Sequence, residues 1–341
     1  MYSACKLDDV LPGYLRTAST LYCDFGRDET HDRQLFQFIR LARSIVARGA
    51  PGPSTLRETG ILLDDLRIIK RPEEQALLRR AADITAEAHR EAMTKIHPGQ
   101  NEYELQALAE YIFRCHGSAR NAYPSIVGSG RNATILHYQA NTRQMLDGDL
   151  VLLDAAAEYG YYAMDLTRTI PVNGTFTAAQ REMYDIVLEA QQAALARVRP
   201  GSTLAEVHMA AVETITAGLA RIGLLQGEVE HLITGGAYKP YFMHGTSHWI
   251  GLDIRDRGQY TVNGQSRRLE PGMVFSVEPG LYFGDISAYP SVDSGILARY
   301  RDIGIRIEDT VLVTADGCEI LTAAAPKDPD AIEALMTSAG N

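Results

Sequence analysis

The sequence predicts an α+β fold, a mixed and mainly antiparallel main domain preceded by a small αβ piece. Hairpin-rich apolar strands are interleaved with long amphipathic helices, which argues against a doubly wound parallel sheet. Two capping boxes, Thr177-x-x-Gln180 and Thr203-x-x-Glu206, open long helices in mid-chain. The 341 residues are 45% hydrophobic and 22% charged, enough apolar material for a sizeable core.

Taken in order, residues 1–70 read as a partial αβ domain without a complete core. Within it, Arg33 to Arg48 is predicted helical, with Leu35, Phe38, Ile39 and Ala42 on one face and Gly49-Ala-Pro-Gly-Pro53 as its stop. The abrupt beginning at Met1 points to truncation or a late start codon. Arg71-Pro-Glu-Glu74 opens a helix, because proline suits the first turn and two glutamates favour the positive end of the dipole. Leu77, Ala81, Ile84 and Ala88 give that helix its apolar face, and the domain boundary falls near Lys70, leaving 71–341 as the main domain. Tyr103–Cys115 follows as helix, then strands at Ala133–Tyr138 and Asp149–Ala155. A loop containing Glu158 and Gly160 leads to a strand over Tyr161–Thr169. The two capped helices run to Val198 and to about Gly223. Strands are expected at Met273–Val277, Leu281–Phe283, Gly304–Glu308 and Thr310–Thr314.

A net charge of −10, from 33 Lys+Arg against 43 Asp+Glu, argues against a nucleic-acid or anionic-membrane surface. Four cysteines without a C-x-x-C pair make neither a disulfide scaffold nor a structural zinc site and suit a reducing cytoplasm. No apolar run is long enough to span a bilayer, and the N-terminus lacks the pattern of a secretory signal. Gly128-Ser-Gly130-Arg-Asn-Ala133 matches a dinucleotide fingerprint on paper, but it precedes a strand-like run rather than opening a helix, so a glycine turn is expected. His244 and His248 have the spacing of a helical metal pair, yet Gly245, Thr246 and Ser247 between them disfavour a helix.

Chemistry concentrates in four segments. Asp154 interrupts an apolar strand, where an unpaired carboxylate would cost several kcal/mol, and Asp165 follows it. His244 and His248 flank a short polar run beside the chain's single tryptophan. Glu278 ends an apolar strand before Pro279-Gly280. Glu308 lies in a predicted strand, and Arg306 has the same parity and therefore the same face. Any one of these acids alone reads as a buried salt bridge or a turn carboxylate. Four of them with an imidazole, each in or beside an apolar strand, suit oxygen-rich coordination of two divalent cations of the Mn²⁺ type.

These segments resemble the pita-bread metallopeptidases, and among them the aminopeptidase P group, which removes an N-terminal residue preceding proline. The likeness runs from about Asp8 to Leu335. It includes Asn132–Tyr138, Asp147–Leu153, Asp165–Thr177, His244–Asp253, Val277–Tyr282 and Gly304–Asp309. The resemblance implies a pita-bread catalytic domain, a truncated N-terminal domain, and hydrolysis by a water held between two ions, most readily Mn²⁺, with Zn²⁺ or Co²⁺ as alternatives. It makes Asp154, Asp165, His248, Glu278 and Glu308 the metal ligands, with Asp165 and Glu308 bridging. Glu278 doubles as general base, and His137 and His244 assist proton transfer or hold the peptide. Arg306 supports a ligand carboxylate, whereas Tyr282 and Trp249 are read as packing residues. Creatinase, a non-metal relative, lacks this set. Where the family places a substrate-contacting histidine this chain has Arg255, which cannot shuttle a proton near neutral pH. The implied partners are peptides with proline second, and the implied assembly is a homo-oligomer. Two rival functions remain open: an Xaa-Pro dipeptidase in which Arg255 meets the terminal carboxylate, and a binding protein that keeps the fold without turnover.

Overall fold

The computed structural model describes residues 3–44, 52–284 and 294–338. The chain divides into two compact units, Met1–Leu66 and Arg67–Asn341. The first holds α1 (Leu7–Leu15), β1 (Thr20–Tyr22), α2 (Glu29–Ser44), β2 (Thr55–Arg57) and most of α3 (Gly60–Ile68). Strands β1 and β2 are parallel, with Thr20 opposite Thr55. Leu15, Phe38 and Ala42 form its small core. Helix α2 buries the four residues predicted but begins earlier, at Glu29. The predicted end at Arg48, with Gly49 to Pro51 of its stop, lies outside the described residues.

In the second unit, α4 (Pro72–Lys95) and α5 (Glu102–Cys115) lead into β3 (Arg120–Asn121), β4 (Ile126–Ser129), β5 (Leu150–Asp154), β6 (Ala157–Tyr159), β7 (Tyr162–Ala163) and β8 (Thr167–Pro171). Next come α6 (Ala178–Leu195), α7 (Leu204–Arg221), α8 (Val229–Thr234), β9 (Thr261–Val262) and β10 (Gln265–Ser266). The last elements are β11 (Val274–Val277), β12 (Gly280–Tyr282), α9 (Ser294–Tyr300), β13 (Gly304–Arg306), β14 (Asp309–Val313), β15 (Cys318–Ile320) and α10 (Pro329–Ser338). Among the described residues of the second unit every ladder is antiparallel: β3–β6–β7, β4–β5–β8, β9–β10, β11–β14–β15 and β12–β13.

The helices start where their caps require. Arg71 N donates to Glu74 Oε2 at 2.7 Å, so α4 opens with its proline in the first turn. Thr177 Oγ1 accepts from Gln180 N at 3.3 Å while Gln180 Oε1 accepts from Thr177 N at 2.9 Å, and Thr203 with Glu206 repeats the pattern. Each reciprocal pair satisfies two amides that the helix leaves open. Helix α4 buries Leu78, Ala81, Ile84 and Ala88, while Leu77 is only half-buried. The main core joins α4 to α7 with the inner strands, drawing on Phe113, Val151, Ile186, Ile215, Phe275 and Ile305.

Four sequence-based expectations are corrected. Ala133–Tyr138 is not a strand; the strand is β4, just before it. Gly130 turns the chain with φ 52° into a 3₁₀ turn over Gly130–Thr134. Ile135 N and Tyr138 N then donate back to Asn132 O and Ile135 O, closing successive turns where a strand would need a ladder partner. β-branched side chains there favour a strand in the abstract, but β13 packs onto the turn so closely that a Cβ on Gly304 would sit 2.1 Å from Ala133 O. The fingerprint Gly128–Ala133 begins inside β4 and runs into that five-residue 3₁₀ turn, so it is the glycine turn expected. Glu158 belongs to β6 rather than the loop, because Gly160 and Tyr161, with φ 57° and 72°, complete a tight hairpin of the type that suits strand twist. The expected strand Tyr161–Thr169 is broken between β7 and β8, and Glu308 sits in a similar break between β13 and β14.

Candidate metal centre

The breaks are what aim the acids. Asp154 is the last residue of β5, and its ladder partner on β8 is Thr167. Asp165 lies in the interruption just ahead of β8, and Thr310 Oγ1 donates to its carbonyl at 2.8 Å. The β11–β14 ladder pairs Val277 with Asp309, so Glu278 and Glu308, one step beyond that pair, come together. An isolated bridge between Trp249 and Phe275 brings the His248 segment alongside β11, where His248 N donates to Ser276 Oγ at 3.1 Å. His244 and His248 lie in irregular backbone, as expected.

One pocket of about 260 Å³ receives His137, Asp154, Asp165, His244, His248, Arg255, Glu278, Arg306 and Glu308. Asp165, His248 and Glu308 converge most tightly, offering ligand atoms within 4.8 Å of one another, and all three are buried. His248 Nδ1 faces its neighbour's carbonyl, Trp249 O, at 3.3 Å. Among the described residues its Nε2 faces carboxylates alone, Asp165 Oδ2 at 3.2 Å and Glu278 Oε1 at 3.5 Å. A neutral imidazole donating through Nδ1 would set a lone pair against those oxygens, so a proton or a cation belongs between them. Glu308 gives the same indication. Thr167 Oγ1 donates to its Oε2 at 2.6 Å, while Oε1 is buried without a partner among the described residues. Such an orphaned buried oxygen costs free energy unless a cation satisfies it.

Asp154 is held differently. Tyr123 OH donates to Oδ1 and Arg306 Nη2 to Oδ2, each at 2.5 Å, and Asp154 stands outside the tight group of three. Glu278 also stands outside it, with its two oxygens turned to two imidazoles: Oε1 to His248, and Oε2 to His244 Nδ1 at 4.0 Å.

The electrostatics follow from crowding. Burial, reinforced by Asp165, Glu278 and Asp154, raises the Glu308 carboxyl well above its usual range. Burial likewise pushes Glu278 up to about 7, with Asp165 adding to the shift and His248 opposing it. Burial and Asp165 raise Asp154 despite Arg306. Burial opposes a charge on His248, yet Asp165 and Glu278 outweigh it and raise its pKa. His244 goes the other way: burial and then Arg306 push it down to about 3, so it is neutral near pH 7. Among the described pocket residues, four carboxylates face two guanidinium groups, and only that of Arg306 is paired.

Several supporting residues carried no sequence signal of their own. Tyr123 and Thr167 reach the acids only through the fold. Tyr282, read as packing, is fully buried, and its hydroxyl contacts both His244 Nε2 at 2.8 Å and Arg306 Nη1 at 3.1 Å. Arg168 Nη1 donates to Glu308 O at 2.5 Å and Nη2 to Asp309 Oδ1 at 2.7 Å, fixing the backbone that presents Glu308. Glu102, fully buried at the start of α5, spans both ends of the turn that carries His137. Its Oε1 accepts from Ser129 N and Oγ, both at 2.7 Å, and from Asn132 Nδ2 at 3.1 Å. Its Oε2 accepts from Tyr138 OH at 2.8 Å and Arg143 N at 2.9 Å. The Asn-x-x-x-x-His spacing from Asn132 to His137 was visible in the sequence, but its tie to Glu102 was not.

Comparison with known proteins follows the same segments. The model of metallopeptidase family M24 matches residues 76–315. A Xaa-Pro aminopeptidase of Escherichia coli is 49% identical over 287 residues, covering 84% of this chain. The chain spans 63% of that relative's own length. A Xaa-Pro aminopeptidase of Haemophilus influenzae is 39% identical over 98% of this chain and 74% of its own. The solved structure of aminopeptidase PepP from Pseudomonas aeruginosa superposes with a TM-score of 0.93 at 44% identity, covering 99% of this chain and 75% of that one.

Proposed function

The chain belongs to metallopeptidase family M24, and on that premise we propose that it is a Xaa-Pro aminopeptidase, hydrolysing the bond between an N-terminal residue and a following proline. The second unit has the pita-bread fold of that family, whose members use divalent metals. One observation carries the catalytic reading: Asp165, His248 and Glu308 converge in a pocket where, among the described residues, Glu308 Oε1 has no partner and His248 Nε2 faces only carboxylates. That donor set fits a divalent cation, and Asp154 and Glu278 complete an oxygen-rich set of five that suits two ions of the Mn²⁺ type. When bound, the ions supply Lewis-acid polarisation of the scissile carbonyl and ease the deprotonation of water.

The chain's own groups do the rest. Glu278 takes the water's proton at one carboxylate oxygen and passes it toward the departing proline nitrogen, the usual duty of a general acid–base. His244 stays neutral, and Tyr282 OH fixes its Nε2, so it offers a positioned ring to the substrate. His137, on the exposed turn opposite, holds the peptide. Arg306 opposes the rise in the Asp154 pKa and orients its carboxylate. The catalytic domain is residues 71–341. Proline preference rests on the relatives' activity. The free cysteines favour a reducing compartment such as the cytoplasm, and self-association follows the family resemblance. Among the described residues no helix is long and apolar enough to cross a membrane.

The deciding experiment is turnover of an Xaa-Pro-Xaa tripeptide with added Mn²⁺ against a chelated control. Release of the N-terminal residue only in the presence of metal supports the assignment. No release under either condition, with the fold intact by circular dichroism, refutes it.

A further inference from the structure

Arg255 is the pocket residue that the metal chemistry leaves unused. It lines the same cavity as the four acids, is exposed there, and has no hydrogen-bond or ion-pair partner among the described residues. The acids nearest to it in sequence are already engaged. Asp256 is buried against Lys70 Nζ at 3.1 Å and against Arg67, and Asp253 pairs with Arg67 at 2.7 Å. Asp256 N donates to Trp249 O at 2.8 Å and Gly251 N to Asp253 O at 3.1 Å, so the segment under Arg255 is tied down at both ends. A Cβ on Gly251 would sit 2.0 Å from Asp256 Oδ2, which shows how closely the segment folds on itself. The guanidinium is thus an uncommitted cation on a fixed base.

The charge balance says what it faces. Two divalent ions would neutralise the four carboxylates, and Arg306 is committed to Asp154. Among the described residues, a loaded pocket therefore carries one free positive group, Arg255, at its exposed part. A substrate's N-terminal ammonium is repelled by that group. What approaches Arg255 is the other side of the scissile bond, the portion that leaves with proline. A guanidinium fork pairs best with a carboxylate, bidentately.

We propose that Arg255 is a specificity residue that binds a carboxylate lying just beyond the proline, so that this chain prefers short Xaa-Pro peptides with a free C-terminus. The inference rests on the aminopeptidase reading above and deepens it. An acidic side chain after proline offers the same chemistry, and the test separates the two sources.

The test compares Ala-Pro-Ala as free acid, Ala-Pro-Ala amide and Ala-Pro-Asp amide, with the Mn²⁺-loaded parent, R255Q and R255K. Both kcat and KM are measured, and binding of each peptide is followed by calorimetry. In the parent, amidation is expected to lower kcat/KM about tenfold, chiefly through KM. In R255Q the acid-to-amide ratio should fall to near one, and R255K should recover part of it, since lysine keeps the charge without the fork. Recovery of activity with Ala-Pro-Asp amide identifies the side-chain carboxylate as the source, and recovery confined to the free acid identifies the terminus. An equal response to acid and amide in the parent, or a preference that survives in R255Q, overturns the assignment. Carboxylate-dependent binding without hydrolysis of any peptide would refute the aminopeptidase reading and leave that of Arg255 standing.

Discussion

Replacing Glu102 should damage the site from a distance, because one buried carboxylate closes the turn that carries His137. Five donors converge on it, two of them backbone amides, those of Ser129 and Arg143. In Glu102→Ala both amides lose their acceptor, that of Ser129 in a buried setting and that of Arg143 in a half-buried one. Each orphaned group costs about 1–3 kcal/mol, so the variant should lose about 3–5 kcal/mol. Against a total of about 5–15 kcal/mol that is a large share, and a fall in Tm of roughly 10 °C is expected. Glu102→Gln is the sharper probe. Its amide oxygen can serve Ser129, but its NH₂ then points at the Arg143 amide, a donor facing a donor. A smaller loss, about 1–3 kcal/mol, should accompany displacement of the His137 turn. The assay is thermal unfolding of each variant, with metal content and kcat and KM on an Xaa-Pro-Xaa tripeptide. Glu102→Gln should bind metal normally, because Asp165, His248 and Glu308 lie on other segments, yet show raised KM or lowered kcat. Unfolding within 1–2 °C of the parent (roughly 0.5 kcal/mol), together with unchanged kinetics, would refute the reasoning.

Asp165→Ala or Glu308→Ala should abolish hydrolysis and weaken metal binding measured by calorimetry; near-normal turnover in either would remove that residue from the ligand set. Tyr282→Phe takes away the hydroxyl shared by His244 and Arg306, and about tenfold loss of kcat with little change in Tm is expected from steady-state kinetics and melting curves. The chelated protein should become more stable as pH falls from 8 to 6.5. Glu278 in the fold titrates at about 7 against an ordinary 4.5, so its contribution to stability is present below 4.5 and lost as pH rises through 7. Recovering part of it yields about 1 kcal/mol over this window, and the raised pKa of His248 acts with the same sign. His89 and His244, both pushed down to about 3 by burial, act with the opposite sign and each remove roughly 0.4 kcal/mol by pH 6.5, whereas Glu308, raised well above the usual carboxyl range by burial, adds to the gain from Glu278 and keeps the net change stabilising as pH falls. Melting curves at fixed ionic strength check this, and a flat or opposite slope in the chelated protein would contradict it.

What the sequence alone determined is what depends on near neighbours along the chain. The starts of α4, α6 and α7 were legible because a cap and its third residue are three positions apart. The buried face of α2 was legible because apolar residues recur at helical spacing. The acids at 154, 165, 278 and 308 stood out because a carboxylate in or beside an apolar run carries a cost that demands an explanation. The family likeness then supplied a role for each.

Tertiary structure decided whatever depends on partners brought in from afar. Thr167 meets Glu308 across 141 residues of chain, and Arg306 meets Asp154 across 152. Those pairings exist only once the antiparallel ladders have set their register. The turn at 130–138 defeated a propensity reading for the same reason, since its conformation answers to Glu102 and to the close approach of Gly304 rather than to its own β-branched side chains. Tyr282 and Tyr123 resembled any other aromatic residue in the sequence. Their hydroxyls acquire meaning only where the fold delivers them to a buried charge, because an unsatisfied polar group is costly there and its partner cannot be replaced by water.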